Sequence, residues 1–343
     1  MQCEPLVSVL IANHNYAQYV REAIDSALDQ SYGNLEVVVC DDGSTDRSVD
    51  VIKATYGEDE RVRLITQENS GQAAALTAAA RASRGQIMCL LDADDVYLPH
   101  KVREVVDAFA RSEAGLVMHP VSVVDEDGKV LQELPLFARL RGGDLRDEVL
   151  RRGGRWVTAP TSALSISATW RDSLFPLPPE LVGGADGFIF GLMPLLAPVE
   201  VIDEPLVRYR IHGSNALGTR RPDLSTTNKM MFRLETTVRT INARLESLND
   251  DARLELERNL YWLQQRANVA LLGPSARSDA RVATRRFVQA LKADDLWPGT
   301  VKRGLTVLYG AAPWIPRGLR ARWLNIALGL SPLKAFLRRM MRG

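Results

Sequence analysis

Residues 87–95 have the sequence Ile-Met-Cys-Leu-Leu-Asp-Ala-Asp-Asp, in which five apolar residues are followed by three carboxylates in four positions. An apolar run of this length, bounded by polar residues, is typical of a strand that is buried on both faces of a sheet. The change to Asp92, Asp94 and Asp95 marks the end of that strand. The stretch therefore predicts a buried β-strand that delivers carboxylates to the edge of a sheet.

The rest of the first hundred residues alternates short β-rich runs with helical patterns. In chain order the runs and patterns are Val7–Ile11, Tyr19–Leu28, Leu35–Cys40, Asp46–Lys53, Val62–Ile65, Gln72–Ala82 and Ile87–Leu91. Repeated strand–helix–strand units predict an α/β fold with a mostly parallel sheet flanked by helices. Ligands of such sheets bind beyond the carboxyl ends of the strands, where this chain carries Asp41, Asp42 and the acids of residues 92–95.

The composition is that of a folded protein. The 343 residues are 46% hydrophobic and 25% charged, which excludes a disordered or fibrous chain and leaves room for about two domains. The three cysteines form no CxxC pair, which argues against a disulfide framework or a zinc site. The first residues lack the features of a signal peptide, and prolines interrupt the apolar stretch Gly187–Ile202. We therefore expect a cytoplasmic protein without a transmembrane helix.

The hydrophobic period changes near residue 215. Before that point, strand-like runs alternate with Gly- and Pro-rich loops, whereas beyond it Leu256, Leu260 and Leu263 recur at helical steps of three and four residues. The change predicts a sheet-containing domain over residues 1–215 and a helical region over residues 216–343.

The end of the chain is basic. Residues 296–343 carry nine Lys or Arg residues and no Asp or Glu, although the whole chain has a net charge of only +1. Trp314 and Trp323 lie among these cations. Such a segment is typical of a helix on an anionic membrane, and the alternative is a solvated helical face. Nucleic-acid-binding motifs and aromatic stacking platforms are missing from the sequence, so we expect no nucleic-acid partner.

The acids after the fourth strand have two possible explanations. Asp92 and Asp94 are two residues apart in an extended segment and point to the same side, where they could bind Mg²⁺ or Mn²⁺ together with phosphate oxygens. Alternatively, Asp94 or Asp95 caps a helix that begins near Pro99.

The acids after the second strand are similarly ambiguous. The turn sequence Asp-Gly-Ser-Thr over residues 42–45 explains the loop. It does not explain why Asp41 and Asp42 are adjacent, because two neighbouring carboxylates repel each other unless donors or cations compensate. A carboxylate at this position could accept the imide N–H of uracil.

Three segments occur in order at matching intervals. They are residues 7–16 (Val-Ser-Val-Leu-Ile-Ala-Asn-His-Asn-Tyr), 41–46 (Asp-Asp-Gly-Ser-Thr-Asp) and 91–95 (Leu-Asp-Ala-Asp-Asp). Together they resemble the family 2 glycosyltransferases over residues 5–215. The resemblance implies a GT-A fold, a nucleotide-sugar donor, Mg²⁺ or Mn²⁺ as the cation, and inversion at the anomeric carbon. The Gln-x-x-Arg-Trp signature of processive members is missing, so we expect a non-processive enzyme.

The resemblance also implies roles for single residues. An acidic motif that opens a helix matches Gly183–Phe188 and makes Asp186 the candidate general base, with a helix N-cap as the alternative. His212, unless it is a solvated loop residue, becomes a metal ligand with Asp94, and Arg210 contacts the diphosphate. The candidate nucleotide-binding residues are Ala12, Asn13, Tyr16, Asp41, Asp42, Gly71, Asp92 and Ala93.

The expected function is transfer of a sugar from a UDP-linked donor to a hydroxyl of a glycan or lipid-linked acceptor, in cell-surface polysaccharide synthesis at the inner face of the membrane. Two other classes stay open. One is a sugar-phosphate nucleotidyltransferase, although Leu10–Tyr16 does not match its Gly-rich loop. The other is an inactive nucleotide-sugar-binding module, which Ala185 in place of the usual acid would fit.

Overall fold

The computed structural model describes residues 4–134, 139–181, 184–212 and 223–329. The strands are β1 (Val7–Asn13), β2 (Leu35–Asp42), β3 (Val62–Gln67), β4 (Ile87–Asp92), β5 (Val96–Tyr97), β6 (Leu116–Met118), β7 (Val121–Val124), β8 (Val130–Leu134), β9 (Leu164–Ser167), β10 (Val199–Val201) and β11 (Val207–Arg210). The helices are α1 (Val20–Leu28), α2 (Ser48–Tyr56), α3 (Gln72–Ala82), α4 (Lys101–Arg111), α5 (Arg146–Arg151), α6 (Arg171–Leu174), α7 (Ala185–Leu196), α8 (Leu224–Ser247), α9 (Leu260–Leu272), α10 (Arg277–Ala293), α11 (Gly299–Ala311) and α12 (Arg317–Gly329).

Seven of the described strands form one sheet in the order β10-β6-β9-β4-β1-β2-β3. Strand β1 pairs in parallel with β2 and β4, and β2 pairs in parallel with β3. Strand β9 runs antiparallel between β4 and β6. Helix α3 packs on β1 and β2, and α4 packs on β6 and β10. Because helices cover the sheet, every residue of β2 is buried, which explains the apolar run Val37–Cys40. The predicted α/β class with a mostly parallel sheet is confirmed.

A smaller sheet brings a distant segment to the acidic strand end. Among the described strands its order is β5-β11-β7-β8. Strand β11 pairs antiparallel with β5, so that Val207 lies opposite Tyr97 and Arg208 lies opposite Val96. Because β5 follows directly after residues 92–95, this pairing places β11 beside the carboxylates.

The buried apolar residues form two clusters. The first contains the large sheet, its helices and three residues of α8, namely Val238, Ile241 and Leu245. The second consists of α9 to α12 and includes Leu260, Phe287, Tyr309 and Leu324. The predicted helical region is therefore present, and its first helix, α8, packs against α7. The predicted boundary between residues 215 and 216 lies outside the described residues.

Helices α11 and α12 belong to the basic end of the chain. Leu305 and Tyr309 of α11 and Leu324 of α12 are buried in the second cluster, so each helix has one face in contact with the protein. Within the described ranges, no helix is long and apolar enough to cross a membrane.

Candidate active site

The parallel register aligns the ends of β1, β2 and β4. Ala12 lies opposite Asp92, and Asn13 lies opposite Asp41. A cavity of about 250 Å³ opens at this edge of the sheet. Its lining residues are Ala12, Asn13, His14, Tyr16, Asp42, Gln72, Ala75, Asp92, Ala93, Asp94 and Tyr209. Most of the predicted nucleotide-binding residues therefore share one cavity.

The two adjacent acids at the end of β2 are stabilised by different donors. Asp41 accepts hydrogen bonds from Asn13 Nδ2 and from the hydroxyl of Ser44, both at 2.7 Å. Asp42 accepts a hydrogen bond from the amide of Gly71 at 2.7 Å. These donors compensate the repulsion between the carboxylates. Asp42 lies in the cavity wall, whereas Asp41 holds the loop after β2, so a direct contact between Asp41 and a nucleotide base stays a prediction.

The acids after β4 do not cap a helix. Helix α4 begins at Lys101, and no side chain caps its first turn. Asp95 instead accepts hydrogen bonds from the hydroxyl of Ser162 (2.5 Å) and from the amide of Arg210 (2.9 Å). The capping alternative for Asp94 and Asp95 is therefore wrong, and Asp95 fastens β11 to the end of β4.

Burial and mutual repulsion disfavour the charged forms of these acids. Burial raises the pKa of Asp92 to about 8, with further contributions from Asp94 and Asp186. Burial also raises the pKa of Asp95 well above its usual range, again with Asp94 and Asp92 contributing. A cation would have the opposite effect, because it stabilises ionised carboxylates. The cluster therefore favours a positively charged or proton-donating group at this edge of the sheet.

Asp186 lies in the first turn of α7. That helix begins at Ala185, with Gly184 at the capping position and no side-chain cap, so the N-cap alternative for Asp186 is wrong. Burial raises the pKa of the Asp186 carboxyl, and the charge of Arg233 is among the opposing effects. A raised pKa makes a carboxylate a stronger base at neutral pH. Because Asp186 also raises the pKa of Asp92, the two carboxylates lie close enough to repel each other.

His212 is buried beside the acidic strand end. Its Nε2 lies 2.9 Å from Oδ2 of Asp94, and its side chain is 2% exposed. The imidazole ring contacts the rings of Tyr16 and Tyr19, at centroid distances of 5.8 and 5.1 Å. His212 is therefore not a solvated loop residue, and the two predicted metal ligands lie side by side.

The guanidinium of Arg210 is directed towards protein atoms. Its Nε donates to the carbonyl oxygen of Asp94 at 3.0 Å, and its Nη1 donates to the carbonyl oxygen of Glu126 at 2.8 Å. Its Nη2 donates to the carboxylate of Glu22 at 2.7 Å. Arg210 thus fixes the backbone at Asp94. A direct contact between Arg210 and the diphosphate stays a prediction.

Several contributors to the site are missing from the predicted set, among them Tyr209, Gln72 and Ser162. Tyr209 lines the cavity, and strand alternation could have placed it on the face opposite Arg210. Gln72 donates to the carboxylate of Asp92 at 3.1 Å, and it lies in the Gly-containing segment that the resemblance covers. Ser162 accepts a hydrogen bond from the Asp92 amide at 3.0 Å, but it lies 70 residues away, in a single 3-10 turn (Thr161–Ala163), and carries no local signal.

The residues present fit a cation that is bound together with a phosphorylated ligand. Among the described residues, no cluster of three or more His, Cys, Asp or Glu side chains could hold a metal ion by itself. Asp94 and His212 offer one oxygen and one nitrogen ligand. Mg²⁺ is commonly held by one or two carboxylates and completed by phosphate oxygens of a substrate and by water. Two protein ligands therefore suffice for such a site.

Comparison with known proteins gives a family. Residues 8–165 match the model of glycosyl transferase family 2. An uncharacterized glycosyltransferase of Nostoc sp. is 34% identical over 259 residues, which cover 75% of this chain and 80% of that protein. Chondroitin synthase of Pasteurella multocida is 36% identical over 128 residues, which cover 37% of this chain and 13% of that protein.

The fold is also found in a solved structure. The S. aureus TarS fragment in complex with UDP-GlcNAc superimposes with a TM-score of 0.58 and 17% identity, over 92% of this chain and 90% of that fragment. At this identity the likeness concerns the fold alone. The expected GT-A fold, with a helical region after the sheet, is confirmed. Since a matching family model and a relative that aligns over most of both chains agree, the chain belongs to glycosyl transferase family 2.

Proposed function

We propose that this glycosyltransferase moves a sugar from a UDP-linked donor to a hydroxyl of a glycan or lipid-linked acceptor, with inversion at the anomeric carbon. The observation that carries the proposal is the single cavity at the ends of β1, β2 and β4, lined by Asp42, Asp92 and Asp94. Two comparisons support it: the structural neighbour TarS has been solved in complex with UDP-GlcNAc, and a relative in sequence is named chondroitin synthase.

The nucleotide would lie over β1 and β2. Asn13 is buried, and its Oδ1 receives no hydrogen bond from any part of the chain that the structure describes. Buried acceptors are seldom left without a donor, so an N–H group of a ligand is the expected partner. Asp42 and Tyr16 line the same cavity and would contact the base and the ribose.

The diphosphate would lie at the end of β4. Asp94 and His212 would hold Mg²⁺ or Mn²⁺. The carboxylate of Asp94 is the oxygen ligand that both ions prefer, and Nε2 of His212, 2.9 Å away, would be the second protein ligand. When bound, the ion would neutralise the charge that develops on the departing diphosphate. Arg210 keeps Asp94 in place through the backbone, so its role in the reaction is to position that ligand.

The acceptor would be activated by Asp186. Its carboxylate takes the proton of the attacking hydroxyl, and the hydroxyl oxygen forms a bond to the anomeric carbon as the bond to the diphosphate breaks. A single displacement of this kind inverts the configuration and needs no covalent intermediate.

The test separates donor binding from transfer. UDP is titrated calorimetrically into the wild-type protein with and without Mn²⁺, and release of free UDP is followed for a panel of UDP-sugars with and without acceptor. We expect Asp94→Asn to lose the Mn²⁺-dependent part of UDP affinity. We expect Asp186→Asn to bind UDP normally but to lose at least ~100-fold in transfer, because a general base contributes a factor of about 10²–10⁴.

Asp107→Asn is the matched control, since Asp107 is an exposed acid on α4. It should change neither quantity. UDP affinity that is the same with and without Mn²⁺ would refute the metal site, and full transfer by Asp186→Asn would place the base elsewhere. Release of UDP with retention of the anomeric configuration would contradict the single displacement.

We also propose that the basic end, residues 296–343, contacts an anionic membrane at the cytoplasmic face. Trp314 and Leu319 are 60% and 50% exposed, which leaves an apolar surface among the cations. Because α11 and α12 complete the second cluster, point variants are better probes than a truncation. Trp314→Ala combined with Leu319→Ala should reduce co-sedimentation with phosphatidylserine vesicles, whereas Val282→Ala, at an exposed valine of α10, should not.

A further inference from the structure

A second cavity, of about 450 Å³, lies between α8 and the residues Glu180, Leu181 and Gly184. Residues of α8 that recur at steps of three and four line one wall, so they share one face of the helix. We call this space the α8 cavity. Its principal lining residues are Lys229, Phe232, Arg233 and Thr236 of α8, and Glu180 and Gly184 opposite.

The α8 cavity carries positive charge. Lys229 and Arg233 are exposed, lie four residues apart, and form no ion pair within the described ranges of the chain. Like charges at this spacing destabilise a helix. Glu180 is exposed on the opposite wall and balances one of the two cations. Lys229 also interacts electrostatically with Asp223, and Arg233 with Asp186, although neither of these carboxylates lines the cavity. An anionic ligand would therefore be attracted to this cavity and would relieve the repulsion between Lys229 and Arg233.

The same wall offers an aromatic face. Phe232 is 64% exposed, although a phenylalanine gains free energy by leaving water. The faces of aromatic rings carry partial negative charge and attract the C–H groups that sugars present on one side of the ring. An aromatic ring flanked by two cations is suited to a sugar that bears an acidic group.

The α8 cavity adjoins the proposed base. Gly184 lines the cavity, and Asp186 follows two residues later in the first turn of α7. Arg233 lines the cavity and acts electrostatically on Asp186. A sugar bound on Phe232 would therefore lie next to the residue that is proposed to take its proton.

We infer that the α8 cavity binds the acceptor, and that this acceptor is a sugar carrying a carboxylate or a phosphate. Phe232 stacks on the sugar ring, while Lys229 and Arg233 pair with the acidic group. This inference rests on the proposed function, because it assigns an acceptor to the glycosyl transfer that Asp186 assists.

Binding of matched probes tests the inference without the donor. The probes are p-nitrophenyl β-glucuronide, glucose 6-phosphate and the neutral p-nitrophenyl β-glucoside, titrated by ligand-observed NMR into the wild-type protein. We expect the better of the two charged probes to bind at least about tenfold more tightly than the glucoside, since a charge-assisted contact contributes about that factor. Comparing the affinities of the glucuronide and of glucose 6-phosphate shows whether a carboxylate or a phosphate is preferred.

Variants then assign the site. Lys229→Gln should remove most of the preference for the charged probe, and Phe232→Ala should lower the affinity of all three sugar probes. Arg239→Gln, at an exposed arginine of α8 outside the cavity, should change none of the affinities. Raising the salt concentration should reduce binding of the charged probes more than that of the glucoside.

Equal affinity for charged and neutral probes, no binding of either charged probe, or a charge preference that survives Lys229→Gln would overturn the inference. A wild-type protein that fails to bind UDP would instead refute the proposed function, because the sugar probes are measured in the absence of a nucleotide.

Discussion

Lys101 is a charged residue in the core of the sheet domain, and its replacement should stabilise the protein. The side chain is completely buried. Its Nζ lies 3.8 Å from the centroid of the Tyr97 ring and 3.5 Å from Oγ of Ser165. Both partners are neutral at pH 7, so they only partly offset the loss of hydration. Methionine is unbranched and of similar length, so Lys101→Met removes the charge and keeps the packing.

The size of the effect follows from the pKa. Burial lowers the pKa of Lys101 from its usual 10.5 to about 8. One pKa unit corresponds to about 1.4 kcal/mol, so the buried ammonium costs ~3 kcal/mol of folding free energy at neutral pH. The lost cation–π contact with Tyr97 subtracts about 1 kcal/mol from the gain. Lys101→Met should therefore raise the free energy of unfolding by about 2 kcal/mol at pH 7.

The gain should depend on pH. Below about pH 8 the folded and unfolded chains both carry the proton, and the whole cost is present. Between about pH 8 and 10.5 the unfolded chain retains the proton that the folded chain has lost, so the wild-type protein gains stability as the pH rises. The advantage of Lys101→Met should consequently shrink to about 1 kcal/mol or less at pH 10.

Urea unfolding followed by circular dichroism at pH 7 and pH 10 measures both values. Lys53→Met, at an exposed lysine of α2, is the matched control and should leave the free energy of unfolding unchanged at either pH. A variant at position 101 that is less stable than the wild type at pH 7, or a gain that does not change with pH, would refute the reasoning.

Three further predictions concern stability. Burial lowers the pKa of His119 to about 3, so protonation below pH 6.5 favours the unfolded chain. The free energy of unfolding of the wild type, measured by urea titration, should therefore fall by ~2 kcal/mol between pH 6.5 and pH 5, and that of His119→Leu should fall by less. Gly85→Ala should lower the melting temperature, because its Cβ would lie 2.6 Å from the Ser8 amide nitrogen; an unchanged value would contradict this close packing. Asp294→Asn should cost ~3 kcal/mol, since it leaves the largely buried Arg155 without its carboxylate partner, and equal urea midpoints would show that the ion pair is unimportant.

The sequence predicted the bounds of an element correctly where those bounds depend on neighbouring residues alone. Helix α3 has the predicted bounds Gln72–Ala82, because alanine-rich helical patterning is a property of neighbouring residues. Strand β2, by contrast, extends two residues beyond the predicted Cys40. Asp41 and Asp42 join the strand because they pair with Thr66 and Gln67 of β3, a contact that local patterning does not contain.

The sequence by itself determined that carboxylates lie at the carboxyl ends of buried parallel strands, because apolar periodicity and its abrupt end are properties of consecutive residues. Only the tertiary structure decided what each acid does. In the folded chain, Asp41 binds the loop after β2 and Asp95 binds the backbone of β11. Asp94 lies beside His212, and the guanidinium of Arg210 donates to protein acceptors. These roles depend on donors that lie far away in the chain and become neighbours only when the sheets pair.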